Sequence, residues 1–201
     1  MKRFMHLIMV LAGFPFFAQA FAAEKVVVLA PDLAKQRLRH VVTVSAQGGD
    51  FTDPVAAVNS INDCTAANPY LVQIKPGVYT LTQTLVMKPF VTIAGSGRDT
   101  TTLTGAISTN SFDAASAIVS GADNAALLDL TVENTGGGGV SIGLYNNRTS
   151  PVIQNVAVTA SGGRFSYGVY NEYPSSPVMT EVTAKASGGN YNYGVFTSSP
   201  P

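Results

Sequence analysis

Tryptophan is absent from the 201 residues, cysteine occurs once and histidine twice. Each shortage closes off a chemistry. One cysteine cannot form an internal disulfide, so Cys64 is expected to be buried as a free thiol. His6 falls in the N-terminal apolar stretch, which leaves His40 as the one histidine beyond it. That leaves no material for a Cys/His zinc site or a histidine-based nucleophile triad. No cofactor and no metal are expected, and hydrolysis would have to run on carboxylates, Arg, Lys or Tyr. Charge is also scarce, at 12% of residues, and it balances to zero. A partner such as nucleic acid or an anionic membrane surface requires a basic patch, so neither is expected. The one basic cluster, KQRLRH (Lys35–His40), reads as a solvated linker.

Long apolar runs are missing too, except at the start. Lys2 and Arg3 precede FMHLIMVLAGFPFF (Phe4–Phe17), and small residues follow at Ala18, Ala20 and Ala22. A basic segment, an apolar core and a small-x-small site make a cleaved secretory signal. The run is also shorter than the ~20 residues of a membrane span. Residues 1–22 are therefore expected to be a signal peptide and 23–41 a linker. Residues 42–201 are expected to be one domain, secreted, periplasmic or on the cell surface.

What is present is a repeat. SGGRFSYGVY (Ser161–Tyr170) returns as SGGNYNYGVF (Ser187–Phe196), 26 residues on. Pro151, Val152, Val156 and Val158 recur at the same interval as Pro177, Val178, Val182 and Ala184, while Leu130 and Val132 precede them by 26. Ile118 stands 26 before Leu144, and Gly143 and Gly168 are 25 apart. Short β-branched runs broken by Gly, Pro and Asn fill each interval, too closely spaced for crossover helices. A period in the twenties with several strands per unit means stacked rungs. Leu130, Val156 and Val182 are expected in one inward column, Val132, Val158 and Ala184 in a second, Leu144, Val169 and Val195 in a third. Asp129, Asn155 and Glu181 fall just before the first column, where Asp and Asn suit the left-handed backbone of a sharp bend. Glu133, Thr159 and Lys185 read as a solvated face. One helix is signalled: Asp53 as N-cap, Pro54 at the first position, then Val55, Val58 and Ile61 at helical spacing.

The ordered segments VTVSAQGGDFTDPVAAVNSI, VQIKPGVYT and VTIAGSGRDTTTLTG, continued by SAIVSGADNAALLDLTVENTGG, resemble the opening half of the pectin methylesterases. Those enzymes belong to the pectin lyase-like superfamily. The resemblance implies an all-β, single-stranded right-handed parallel β-helix, about 26 residues per rung, with a short N-terminal capping helix. It also implies two catalytic aspartates, two oxyanion-supporting glutamines and an orienting arginine, a set that suits a carboxylate nucleophile. At the matching positions stand Val140, then SGGRFSYGVY, then Asn192, and no arginine follows Arg164. The expected function is thus an exported pectinesterase-like β-helix that is non-catalytic and acts as a surface or polysaccharide-interacting module. The alternative is a pectin methylesterase whose remaining catalytic groups are not recognisable.

Two further sites remain open on the residues alone. Asp129 and Glu181 share a column two rungs apart, about 9–10 Å at strand spacing. That is either a polar bend column or a widely spaced carboxylate pair of the inverting-glycosidase type. Tyr145, Tyr170 and Phe196 form one aromatic column, Tyr167 and Tyr193 another. Strand alternation places Tyr167 with Val169 and opposite Tyr170. These rings either pack under a loop or, beside Asn146, Asn171 and Glu172, form a ladder that stacks on sugar. The sequon Asn147-Arg148-Thr149 matters only in a glycosylating host. The chain stops where another rung would begin, so residues 42–201 are expected to be an incomplete array, with self-association or downstream repeats at the open end.

Overall fold

The computed structural model describes residues 40–199. The expected signal peptide and nearly all of the expected linker lie outside the described residues, and the first strand begins at His40.

In chain order the elements are β1 (His40–Val44), α1 (Pro54–Ser60), β2 (Tyr70–Ile74), β3 (Gly77–Thr80), β4 (Leu85–Val86), β5 (Val91–Ala94) and β6 (Thr101–Gly105). There follow β7 (Ala117–Ser120), β8 (Ala126–Asn134), β9 (Val140–Asn147), β10 (Val152–Ser161), β11 (Phe165–Glu172), β12 (Val178–Thr180), β13 (Thr183–Ser187) and β14 (Tyr191–Thr197). All the strand ladders are parallel and join successive turns. The result is a parallel β-solenoid of about six turns. A nine-stranded sheet runs β1-β2-β5-β8-β10-β12, with β3, β6 and β13 continuing it, and a five-stranded sheet runs β14-β11-β9-β7-β4.

The 26-residue register holds in the last turns: Val156 pairs with Leu130, Val158 with both Val132 and Ala184, and Tyr167 with Tyr193. The inward columns are as expected there. Leu130, Val156, Val132, Val158, Leu144 and Val169 are all fully buried in one core. In the last turn the matching Val182 and Ala184 are half-buried, and Val195 is 48% exposed. Leu144 pairs with Val119, not Ile118, because the five-stranded sheet steps by 25 between β7, β9 and β11.

The bend column is backbone-driven. Asp129, Asn155 and Glu181 have φ of 54°, 51° and 54°, and each stands at the bend between the part of the nine-stranded sheet that carries β5 and β12 and the part that carries β6 and β13. Left-handed backbone costs an ordinary L-residue roughly 1 kcal/mol, least for Asn and Asp. Glu181 is exposed and has no such tolerance, so Glu181→Asn is expected to raise stability by about 0.5–1 kcal/mol, read as a higher midpoint in urea.

The helix forms where expected. The Asp53 carboxylate accepts from the Val55 N–H at 2.9 Å, Pro54 opens the helix, and Val55, Val58 and Ile61 are buried. Its expected role as an N-terminal cap is not supported: β1 precedes it, and α1 lies within the first turn. Cys64 is half-buried against the core rather than buried, in the loop that follows α1.

Candidate functional site

The five-stranded sheet does not alternate simply. Gly143 and Gly168 sit where the strand turns its corner: a Cβ on Gly143 would lie 2.4 Å from Val158 Cγ1, and one on Gly168 would lie 2.5 Å from the Gly194 carbonyl oxygen. Ile142 and Tyr167, before each glycine, belong to the outer cluster, and Leu144 and Val169, after it, to the core, so the strand changes phase at the glycine. Tyr167 and Val169 therefore occupy opposite faces, contrary to strict alternation, while Tyr167 and Tyr170 share the outer face.

That outer face carries a second apolar cluster of Ala117, Val140, Ile142, Tyr145 and Tyr167, with Phe165, Tyr170 and Phe196 packed on it. Rings from successive turns stack. Phe165 and Tyr191 have centroids 4.8 Å apart and Tyr167 and Tyr193 5.2 Å, both pairs 8° from parallel. Tyr145, Tyr170 and Phe196 follow at 5.7 and 5.1 Å, tilted. Tyr191 and Tyr193 remain 47% and 39% exposed. A loop between β6 and β7, containing a 3-10 turn at Ala114–Ser116, brings Phe112 over Phe165, Tyr167 and Tyr170. Part of the ladder thus lies under a loop, and part lies open.

The polar residues divide differently. Asn146 and Asn171 are buried on the inner side, where the Asn146 amide donates to Asn171 Oδ1 at 2.8 Å and the Asn171 amide to Thr197 Oγ1 at 3.3 Å. Their amide N–H groups point along the solenoid axis. Glu172 is half-buried, and its carboxylate accepts a short hydrogen bond from the Tyr145 hydroxyl. Burial, then this bond to a carboxylate, pushes the Tyr145 phenol well above its ordinary range; burial also raises Tyr167 and Tyr170. All three phenols stay neutral at physiological pH, so they present ring surface and hydrogen-bond donors rather than charge.

Glu172 also lines a cleft of about 570 Å³ with Arg148, Tyr173, Pro174, Ser198 and Ser199. Arg148 is exposed, and the cleft combines a guanidinium, a carboxylate, a phenol ring and two hydroxyls. Arg148, Tyr173 and Phe112 escaped sequence reasoning. The available signal was their placement: single large side chains in otherwise small, polar loops.

Asp129 and Glu181 lie elsewhere, on the nine-stranded sheet. Asn155 stands between them and donates to Asp129 Oδ1 at 2.6 Å. Among the described residues no group of three or more His, Cys, Asp or Glu side chains is placed to hold a metal ion.

Stacked parallel strands around one aliphatic core make this a parallel β-solenoid, the fold of the pectin methylesterases that it resembles among solved structures. Among solved structures the chain is similar to pectin methylesterases. One was crystallised with a hexasaccharide: 14% identity over 70% of this chain and 48% of that one, TM-score 0.51. Another, from carrot, shares 20% identity over 73% of this chain and 49% of that one, TM-score 0.51. The chain spans about half the length of these structures, and at these identities the likeness is one of fold. No family profile and no curated protein matches the sequence.

Proposed function

We propose that the chain is an exported, non-catalytic, right-handed pectinesterase-like β-helix that binds polysaccharide on the outer face of its five-stranded sheet. The observation that carries this reading is the aromatic ladder at the positions where the resemblance would put an esterase's catalytic groups. Val140, Phe165 and Tyr191 are register partners, as are Ser141, Ser166 and Asn192. No carboxylate stands in either column. Asn192 closes its own turn, accepting from the Gly189 N–H at 3.0 Å and donating to the Gly189 carbonyl at 2.7 Å. An aromatic face suits the C–H faces of sugar rings, and the hydroxyls and ions of the adjoining cleft suit their polar edges. The hexasaccharide bound by one structurally similar enzyme agrees with this choice of ligand class.

Methanol release from methylated pectin tests the non-catalytic part. The protein is expected to release none above buffer. Turnover that disappears in Asp129→Asn or Glu181→Gln would overturn it.

A further inference from the structure

We infer that residues 110–113 form a lid on the aromatic face, with Phe112 occupying the place where a ligand ring stacks and leaving when one binds. This rests on the carbohydrate reading of the same face.

Three features of the loop lead there. First, its ends are fastened and its tip is not. On one side the Ile107 N–H and carbonyl both bond the Asn134 side chain, and the Val140 N–H donates to the Thr109 carbonyl at 2.7 Å. On the other, Thr84 Oγ1 donates to the Ala114 carbonyl at 2.7 Å. Between them the hydrogen bonds are internal to the loop: Ser111 N–H to Thr109 Oγ1 at 2.9 Å, Ser116 Oγ to the Ser111 carbonyl at 2.7 Å, and Ala115 N–H to Asp113 Oδ1 at 3.0 Å. Among the described residues no hydrogen bond joins 110–113 to the aromatic strands; the tip is bonded to Thr109, Ala115 and Ser116 at the base of the loop, and it can hinge there.

Second, what holds the tip against the aromatic face is one side chain. Phe112 lies 5.3 Å from Phe165 and 5.9 Å from Tyr167, both edge-on, and 6.2 Å from Tyr170. It is still 42% exposed, so lifting it uncovers a modest contact. Third, the rings beneath are ordered without it. Phe165 and Tyr167 stack on Tyr191 and Tyr193 of the next turn, so the platform does not need Phe112 to keep its shape. Phe112 is then a competitor for the ring surface that it covers.

The test compares the wild type with Phe112→Ala in calorimetric titrations with soluble pectic and neutral hexasaccharides, and in tyrosine nitration mapped by mass spectrometry. Removing an edge-on aromatic contact is expected to tighten binding by about fivefold. A lid that opens to a minor population of roughly 0.1–10% lets Tyr167 nitrate in the wild type about 10- to 1,000-fold more slowly than in Phe112→Ala. Equal or weaker binding by Phe112→Ala overturns the lid while leaving the platform standing. If neither protein binds any of these sugars, the carbohydrate reading fails, and nitration alone decides the lid: equal Tyr167 rates in the two proteins, or protection beyond about 1,000-fold in the wild type, overturns it.

Discussion

Asn134→Leu is expected to lower the melting temperature by roughly 6–12 °C, from a loss of about 3 kcal/mol. The residue is fully buried at the end of β8. Its amide donates to the carbonyls of Ile107 at 2.8 Å, Ser116 at 3.1 Å and Ile142 at 2.8 Å. Its Oδ1 accepts from the N–H groups of Ile107 at 3.2 Å and Gly136 at 3.0 Å. One side chain thus satisfies backbone groups of the loop before β7, of the turn into β9 and of β9 itself. Leucine keeps the branched outline and abandons all of them. Each buried polar group left unpaired costs about 1–3 kcal/mol, and those nearest water recover part of theirs, which gives the net figure. Asn134→Asp retains the acceptor but sets a buried carboxylate oxygen against these three carbonyls, so it should melt at or below Asn134→Leu. Thermal unfolding followed by circular dichroism checks both.

The second large effect concerns binding. Tyr170→Ala and Phe196→Ala are each expected to weaken oligosaccharide affinity by up to about tenfold, the equivalent of one aromatic contact of roughly 1.4 kcal/mol. Their rings lie 5.1 Å apart in one column and are half-buried on the outer face, so a sugar lying along the solenoid axis would meet both in succession. Because the two would touch one ligand, their effects should couple rather than add. Glu172→Gln should weaken binding less: the amide can still accept from the Tyr145 hydroxyl, but the cleft loses its one carboxylate.

The last turns were legible in the sequence because stacking enforces like residues at one interval. Val132, Val158 and Ala184 share a column for the plain reason that the same core must be filled at each turn. Bends were legible for the same kind of reason, since Asp129 and Asn155 are residue types that accept a left-handed backbone. Earlier turns carry insertions, α1 among them, and there the interval drifts; a one-residue difference was enough to pair Leu144 with Val119 instead of Ile118. The faces of the aromatic strands were misjudged because alternation assumes an unbroken pleat. Gly143 and Gly168 break it where a Cβ would clash with Val158 or with the neighbouring backbone. Asn146 and Asn171 show a further limit. A polar ladder on the surface and one buried inside have the same sequence signature, and only the structure reveals that the Asn146 amide bonds Asn171. Asn134 gave no signal at all, since its partners lie in other elements and are backbone groups.

Calorimetric titration with a soluble pectic hexasaccharide, run on the wild type and on Tyr170→Ala, tests the binding account most directly. The account predicts saturable binding by the wild type, and affinity lower by about tenfold in a Tyr170→Ala variant that melts cooperatively. Absence of binding by the wild type, or equal affinity in the two proteins, would contradict it.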